Sequence, residues 1–360
     1  MLEQLTRYQE LSSEEIRGRI VRLKEEFGSQ LVILGHHYQR DEIIELSDFR
    51  GDSFKLAKLA SEQEAKYIVF CGVDFMAESS AILARPHQQV FIPEPKAGCP
   101  LADLADIDDV QKAWKELGEV LNLKEIVPIT YVNSDARLKA FCGRNQGSCA
   151  TSSNAVKLFK WALEQGKKVF FFPDEHLGRN SAYQLGLVES DLVVYQPEVR
   201  LGGIEPEQLR QAKVILWKGY CHVHTYFRRE DIERAKKQYP RAKIIVHPEV
   251  PREVAELADA LGSTEQIIQY VRNQPRGSQI VVGTEIHLVK RLAREEAGER
   301  EIIPLANSVC PNMYKINPAK LLLTLESIKQ GKEEPGLKVM VEEPIKSQAK
   351  KALEKMLEFA

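Results

Sequence analysis

The fold is decided by segment 31–53, which reads LVILGHHYQRDEIIELSDFRGDS and contains an apolar strand, polar residues at its end and the start of a helix. A short apolar strand ends in polar residues at His36, and a helical pattern then opens at Ser53. Cys99 follows 46 positions after Ser53, in a loop with a glycine and a proline. A strand that leads through polar residues into a helix is typical of α/β proteins.

The same features recur in the last third of the chain. An apolar strand ends at His247, Thr264 opens a helix 17 positions later, and Cys310 follows after another 46 positions. The interval from His36 to Ser53 is also 17 positions. Equal intervals between matching residue types predict two copies of one structural unit.

The middle third has the same features in the same order, with an insertion. A strand ends in Tyr131-Val132-Asn133, and Ser152 lies at the start of a helical pattern. Cys221 follows Ser152 by 69 positions, 23 more than in the other thirds. We therefore predict three α/β repeats with bounds 1–120, 121–226 and 227–360, the first with an added N-terminal helix and the last with C-terminal helices.

Between these landmarks, apolar runs alternate with amphipathic segments. The runs predicted as strands are 31–34, 67–70, 90–92, 126–131, 168–172, 192–195, 214–217, 243–246, 279–282 and 302–305. Helices are predicted over 153–165, 252–261 and 265–272, and Ser12 with Glu15 forms a capping-box pattern for an earlier helix. This alternation predicts short parallel sheets flanked by helices.

Composition restricts the classes of partner. Of 360 residues, 50 are Lys or Arg and 52 are Asp or Glu, so the formal charge is -2. A nucleic-acid or membrane-surface binder usually carries a basic excess, so we expect neither partner. No apolar run approaches the roughly 20 residues of a membrane span. Residues 1–10 lack the apolar core of a signal peptide, so we expect a cytoplasmic protein with reduced thiols.

The strand ends predict where a ligand binds. Ligands of open α/β sheets lie beyond the carboxyl ends of the strands, where all three repeats carry polar residues. The helix starts at Ser53, Ser152 and Thr264 offer unpaired N–H groups and a dipole that favour an anion. We therefore expect a pocket for a polyanionic small substrate. The alternative is that these hydroxyl residues are ordinary N-caps.

Three of the six cysteines occur once per repeat: Cys99, Cys221 and Cys310, here called the repeat cysteines. Each lies in a loop with glycine or proline after an apolar strand, so we expect them to bind one metal centre. Zinc would add His222 or His224 as a ligand. A [4Fe–4S] cluster with three thiolates would keep one iron open as a Lewis acid. Spacing alone leaves both metals open.

The other three cysteines have no counterparts in the repeat. Cys71 closes an apolar run and is predicted to be a small core residue. Cys142 and Cys149 bracket residues 143–148, which we predict to be a mobile loop, so a surface or redox role is open to them.

Over residues 31–313 the chain resembles the quinolinate synthase family. The motifs that carry the resemblance are Gly35-His36-His37-Tyr38-Gln39, Gly51-Asp52-Ser53, Pro95-Lys96-Ala97-Gly98-Cys99-Pro100, Tyr131-Val132-Asn133-Ser134, Thr151-Ser152-Ser153-Asn154-Ala155, Gly219-Tyr220-Cys221-His222-Val223-His224, His247-Pro248-Glu249, Gly262-Ser263-Thr264 and Cys310-Pro311-Asn312-Met313. The resemblance implies three similar α/β domains around a pseudo-threefold axis, with the active site and an iron–sulfur cluster at the centre.

The resemblance also implies an activity. A condensing enzyme of the transferase or lyase type would join iminoaspartate (iminosuccinate) to dihydroxyacetone phosphate in de novo NAD biosynthesis, releasing quinolinate, phosphate and water. One [4Fe–4S] cluster held by the repeat cysteines would supply the Lewis acid. An aspartate-oxidising enzyme is implied as a candidate partner that supplies iminoaspartate.

The resemblance assigns roles to particular residues. The implied substrate-binding residues are His36, Ser53, Tyr131, Val132, Asn133, Ser152, His247, Pro248, Glu249 and Thr264. Among titratable residues, Glu249 is the candidate general base, Tyr38 and Tyr131 are candidate proton relays, and His224 is a candidate acid.

Two other functions compete with this interpretation. The first is a zinc-dependent hydrolase or aldolase with Cys221, His222, His224 and His247 as ligands. The second is a non-catalytic regulator whose repeats bind an anionic metabolite. The titratable residues at the strand ends argue against this second function.

Overall fold

A computed structural model describes residue 8, residues 10–332 and residues 334–359. The chain divides into two compact units: unit 1 is Met1–Cys99 with Cys310–Glu342, and unit 2 is Pro100–Val309 with Glu343–Ala360. The prediction about a signal peptide in residues 1–10 falls mostly outside the described residues. In the described part of the chain, no helix is long and apolar enough to cross a membrane.

The strands are short and follow the apolar runs. In chain order they are β1 Leu31–His36, β2 Phe49–Gly51, β3 Tyr67–Cys71, β4 Gln89–Phe91, β5 Ile126–Tyr131, β6 Ser148–Ala150, β7 Lys168–Phe172, β8 Leu192–Tyr195, β9 Val214–Trp217, β10 Lys243–Val246, β11 Ala260–Leu261, β12 Gln279–Gly283, β13 Glu301–Pro304 and β14 Lys338–Val339. Every run predicted as a strand is confirmed. The strands that were not predicted, β2, β6, β11 and β14, have only two or three residues each.

Helices occupy the segments between the strands and both ends of the described chain. They are α1 Ser13–Phe27, α2 Asp41–Ile44, α3 Ser53–Glu62, α4 Asp74–Leu83, α5 Ile107–Gly118, α6 Ala136–Arg144, α7 Ala155–Glu164, α8 Glu175–Gln184, α9 Pro206–Gln211, α10 Arg229–Gln238, α11 Arg252–Ala255, α12 Thr264–Asn273, α13 Ile286–Glu295, α14 Pro311–Tyr314, α15 Pro318–Gln330 and α16 Ile345–Leu357. The predicted capping box opens α1, where Glu15 N donates to Ser12 Oγ (3.2 Å) and Ser12 N donates to Glu15 Oε2 (2.8 Å).

One predicted helix is wrong over part of its length. Residues 252–261 form only the short helix α11, and the chain then enters β11. The cause is Asp259, whose Oδ2 accepts a hydrogen bond from Ile244 N (2.8 Å) and draws the chain against β10. In unit 1, Asp48 Oδ2 accepts from Ile33 N (2.7 Å) in the same way, so this anchor is part of the repeat.

Unit 1 contains one five-stranded sheet with the order β14-β4-β3-β1-β2. All its pairs are parallel except β14 with β4, which is antiparallel. Apolar side chains of β1 and β3, such as Ile33, Leu34 and Val69, are fully buried because helices cover the sheet.

Unit 2 contains two parallel sheets, with the orders β6-β5-β7-β9-β8 and β11-β10-β12-β13. Both share an arrangement with the sheet of unit 1: the first strand of the repeat lies between the second and third strands, and the last strand of the repeat pairs with the third. Strand β8 is added outside β9, so it accounts for part of the insertion in the middle repeat.

The predicted fold class is confirmed, because three small, mostly parallel sheets are flanked by helices. The pseudo-threefold axis and the repeat bounds 1–120, 121–226 and 227–360 stay predictions. Residues near the C-terminus contribute to both units, since β14 joins the sheet of unit 1 and α16 packs against α6 in unit 2.

Candidate active site

The repeat cysteines follow three loops that are fastened in the same way. In each repeat, the first residue of a helix donates its backbone N–H to the carbonyl two residues before the cysteine. The bonds run from Asp74 N to Ala97 O (2.9 Å), from Glu175 N to Gly219 O (2.8 Å) and from Ile286 N to Ser308 O (2.8 Å). A side chain at Gly219 would also collide with the Pro173 carbonyl, which explains the glycine before Cys221. The three cysteine loops therefore occupy equivalent positions in their repeats.

Burial separates the repeat cysteines from the others. The repeat cysteines are partly exposed, whereas Cys71, Cys142 and Cys149, here called the core cysteines, are buried. Burial raises the pKa of Cys71 and of Cys149 to about 12 and raises the pKa of Cys142 well above its ordinary value. Such thiols stay protonated and inert. The core position of Cys71 is confirmed, and a surface position for Cys142 and Cys149 is wrong, because they lie in α6 and β6.

Four predicted site residues of unit 2 meet in a buried network around Glu249. Tyr131 Oη donates to Glu249 Oε1 at 2.5 Å, and His224 Nδ1 lies 2.8 Å from Glu249 Oε2. The other ring nitrogen of His224 lies 3.2 Å from Thr284 Oγ1. The His247 ring stacks on the His224 ring with centroids 4.1 Å apart. The network lies at the ends of β5 and β10, where a ligand site was predicted.

The strand-end histidines make the same turn in both units. Glu249 N donates to His247 Nδ1 (3.4 Å), and in unit 1 Tyr38 N donates to His36 Nδ1 (3.1 Å). A neutral imidazole that accepts at Nδ1 carries its proton on Nε2. Burial, followed by the charge of His224, lowers the pKa of His247 to about 3, so His247 is neutral at pH 7.

The carboxyl groups near this network have opposite pKa shifts. Burial would raise the pKa of Glu249, but the adjacent His224, with hydrogen bonds from His224 and Tyr131, holds it below its ordinary range. Burial and the charge of Glu249 raise the pKa of Asp174 well above its ordinary range. Glu249 is therefore ionised at pH 7, and neighbouring carboxyl groups whose pKa values are pushed apart are typical of acid–base sites.

The helix starts of unit 2 lie next to one another. Ser153 Oγ donates to Ser263 Oγ at 2.9 Å, which joins the segments that carry Ser152 and Thr264. Ser263 is the N-cap of α12, so Thr264 is the first helical residue, and Ser152 lies in the turn before α7.

Ser53 in unit 1 is likewise not a cap, because Asp52 caps α3 and accepts from Lys55 N at 2.9 Å. The interpretation of these hydroxyl residues as ordinary N-caps is therefore wrong.

In unit 1, an ion pair ties together the loops that carry Cys99 and Cys310. Lys320 Nζ lies 2.5 Å from Glu94 Oε2, and Lys96 N donates to Glu94 Oε1 at 2.9 Å. Lys315 Nζ donates to the Lys96 carbonyl at 2.8 Å. Because Glu94 is buried, this pairing fixes the segment before Cys99 against the segment after Cys310.

Metal-binding geometry in unit 2 includes one repeat cysteine. Potential ligand atoms of Cys221, His224 and Glu249 lie within 4.8 Å of one another, and within the described residues no second group of three such atoms is found. The zinc set that adds His222 and His247 is therefore not brought together. Both nitrogens of His224 already face Glu249 and Thr284, so the ring is held as a hydrogen-bonding group.

Comparison with known proteins decides the family. The profile of the family described as "Quinolinate synthetase A protein" matches residues 18–358. The quinolinate synthase of Acidobacterium capsulatum is 46% identical over 359 residues, covering 99% of this chain and 96% of the relative. The chain belongs to the quinolinate synthase family. The quinolinate synthases of Rhodopirellula baltica (46% identity, 92% of this chain and 88% of the relative) and Lysinibacillus sphaericus (44%, 97% and 95%) agree.

Three site residues of this quinolinate synthase family member were missed from sequence: Asp174, Asn180 and Thr284. They lie after the third strand of their repeats, whereas the polar residues that mark the repeat in the sequence follow the first strand and the repeat cysteines follow the last. The sequence contains a repeated acidic residue that could have pointed to this region. Asp174 and Glu285, the latter next to Thr284, each lie two residues beyond the third strand and cap the next helix.

Proposed function

We propose that this chain is a quinolinate synthase that condenses iminoaspartate with dihydroxyacetone phosphate, releasing quinolinate, phosphate and water. The observation that carries the proposal is the buried Tyr131–Glu249–His224 network at the strand ends, in a chain of this family. The reaction would be a transferase- or lyase-type step of de novo NAD biosynthesis in the cytoplasm. Its partners would be two small substrates and an aspartate-oxidising enzyme that supplies iminoaspartate.

The repeat cysteines are proposed as the three ligands of one [4Fe–4S] cluster. The donor chemistry fits, since iron–sulfur clusters take thiolates, and these partly exposed thiols follow loops fastened alike in every repeat. The core cysteines do not fit, because their thiols are buried and protonated. When bound, such a cluster supplies an open iron that acts as a Lewis acid toward a substrate oxygen.

Proton transfer is proposed for Glu249 and His224 acting as a pair. The prediction that Glu249 is the general base stays a proposal, and its low pKa favours an orienting role beside proton abstraction. The ionised carboxylate holds the proton of His224 on Nδ1, so Nε2, near Thr284, is the atom that accepts a proton. Tyr131 donates from the opposite side of the carboxylate, and Tyr38 is the corresponding candidate in unit 1.

Anion binding is proposed for the helix starts at Ser53, Ser152 and Thr264, whose N–H groups and hydroxyls suit carboxylate and phosphate oxygens. Neutral donors would orient the rest of the substrate, among them Nε2 of His36 and of His247. Substrate contacts are also proposed for Val132, Asn133 and Pro248, which adjoin Tyr131 and Glu249 in sequence. Holding both substrates turns a two-molecule encounter into a positioned reaction.

The test begins with anaerobic purification and measurement of iron, acid-labile sulfide and the visible spectrum. We expect about four of each atom per chain and a broad brown absorption. Quinolinate is then measured with dihydroxyacetone phosphate and with iminoaspartate generated in the assay by an aspartate oxidase. Glu249→Gln should keep the cluster and lose activity. One zinc per chain, no sulfide and no colour would refute the proposal.

A further inference from the structure

Asn180 holds the backbone on both sides of Glu249. It lies in the middle of α8 and is fully buried. Its Nδ2 donates to the carbonyl oxygen of Pro248 at 2.8 Å and to the carbonyl oxygen of Val250 at 2.8 Å. Both hydrogens of one amide are therefore used on the residues before and after Glu249.

The turn that carries Glu249 is poor in backbone donors of its own. It follows the end of β10, and prolines at positions 248 and 251 have no N–H to offer. Within the turn, Val250 N donates to His247 O at 3.2 Å. Buried carbonyls need a donor from elsewhere in the protein, and Asn180 supplies it for two of them.

The amide is needed at this position for its donors. Carbonyl oxygens only accept, so the nitrogen of Asn180, rather than its oxygen, has to face Pro248 and Val250. Asn180 Oδ1 is buried and has no hydrogen-bond partner within the part of the chain that the structure describes. Burying the Oδ1 acceptor without a partner costs free energy. The two hydrogen bonds donated by Nδ2 offset this cost, so the amide is favoured at this position because of its donors.

We propose that Asn180 is a positioning residue that sets the place of the Glu249 carboxylate between Tyr131 and His224. The proposal rests on the proposed function, in which Glu249 and His224 move protons. The carboxylate spans bonds of 2.5 Å to Tyr131 and 2.8 Å to His224, so a small shift of its backbone lengthens at least one of them. A displacement of about 1 Å at a reacting group can cost roughly 100-fold in rate.

The test uses Asn180→Asp, which keeps the shape but replaces the donors by oxygen, and Asn180→Ser, which keeps one smaller donor. Crystal structures of both variants should show the Glu249–Tyr131 separation beyond hydrogen-bond range, above roughly 3.5 Å. The kcat for quinolinate should fall about 100-fold in Asn180→Asp and less in Asn180→Ser, with KM and iron content little changed.

The matched control is Asn145→Ala, which removes another bond from a side-chain amide to a backbone carbonyl in unit 2, here to Phe141 O at 2.9 Å. It should lower the unfolding temperature without lowering kcat. An unchanged Glu249–Tyr131 separation in both Asn180 variants, or a rate loss that appears in KM or in iron content rather than in kcat, overturns the proposal. If the parent protein makes no quinolinate, the proposed function fails, and the two crystal structures alone decide the role of Asn180.

Discussion

Replacing Tyr131 by phenylalanine tests the buried network most directly. The change removes only the hydroxyl that donates to Glu249 Oε1 at 2.5 Å and leaves the ring in place. Hydrogen bonds to a charged group contribute about 1.5–3 kcal/mol. Removing this bond should therefore let the pKa of Glu249 rise. The sign follows because the Tyr131 bond favours the ionised carboxylate.

The assay is quinolinate formation as a function of pH, together with thermal unfolding. We expect kcat to fall roughly 10- to 100-fold and the acid limb to move to higher pH. The control is Tyr195→Phe, since Tyr195 Oη donates to Glu116 Oε2 at 2.6 Å in a buried pair of the same kind. Both variants should lower Tm by a similar amount, but only Tyr131→Phe should change the pH profile. Equal rates and equal acid limbs in Tyr131→Phe and the parent would refute the role of this bond.

Three further predictions concern the cysteines, His247 and the ion pair of unit 1. Alanine at any repeat cysteine should abolish the cluster and alanine at any core cysteine should not, and full iron retention in Cys221→Ala would contradict the assignment. The pKa of His247 is about 3 in the folded protein and near 6.5 in the unfolded chain, so the free energy of unfolding should fall as the pH drops from 7 to 5. In His247→Gln this fall, measured by urea unfolding, should be smaller by about 2 kcal/mol. Glu94→Gln should speed iron loss, as measured with a chelator, because Lys320 loses the carboxylate that ties the two cysteine loops. The control is Lys329→Met, which breaks an exposed ion pair with Glu26; Lys329 lies on the same helix as Lys320, and its replacement should not change iron loss.

The longer strands of the sheets could be predicted from the sequence, but the short strands at the sheet edges could not. Runs such as Lys168–Phe172 and Val214–Trp217 are long and apolar, so their strands were predicted with the correct bounds. Edge strands of two or three residues, such as Ala260–Leu261, carry too few side chains for a periodic signal. In β2 and β11 an aspartate just before the strand accepts a hydrogen bond from the neighbouring strand, and the equal offsets of Asp48 and Asp259 show that this anchor could have been found by comparing the repeats.

Much of the candidate site was found because repetition marks its residues. Tyr131, His247 and Glu249 share strand-end positions across repeats, and the structure brings them into direct contact. Asn180 was not found because it acts on backbone atoms 68 and 70 positions away, and no local pattern encodes such a contact. The residues proposed to bind substrate recur at the strand ends, whereas Asn180 is specified only by the packing of the second repeat against the third within unit 2.

The charge state of the network constrains how unit 2 can bind an anionic substrate. His247 is neutral at pH 7 because burial lowers its pKa, and burial together with the charge of Glu249 raises the pKa of Asp174 well above its ordinary range. The residues proposed to bind substrate include no lysine or arginine, so attraction for carboxylate and phosphate has to come from helix N–H groups and neutral donors. Such donors do not titrate and carry no full charge that would hold a polyanionic product tightly. The ionised Glu249, enclosed by His224 and Tyr131, can therefore serve proton transfer without setting the affinity for the substrate.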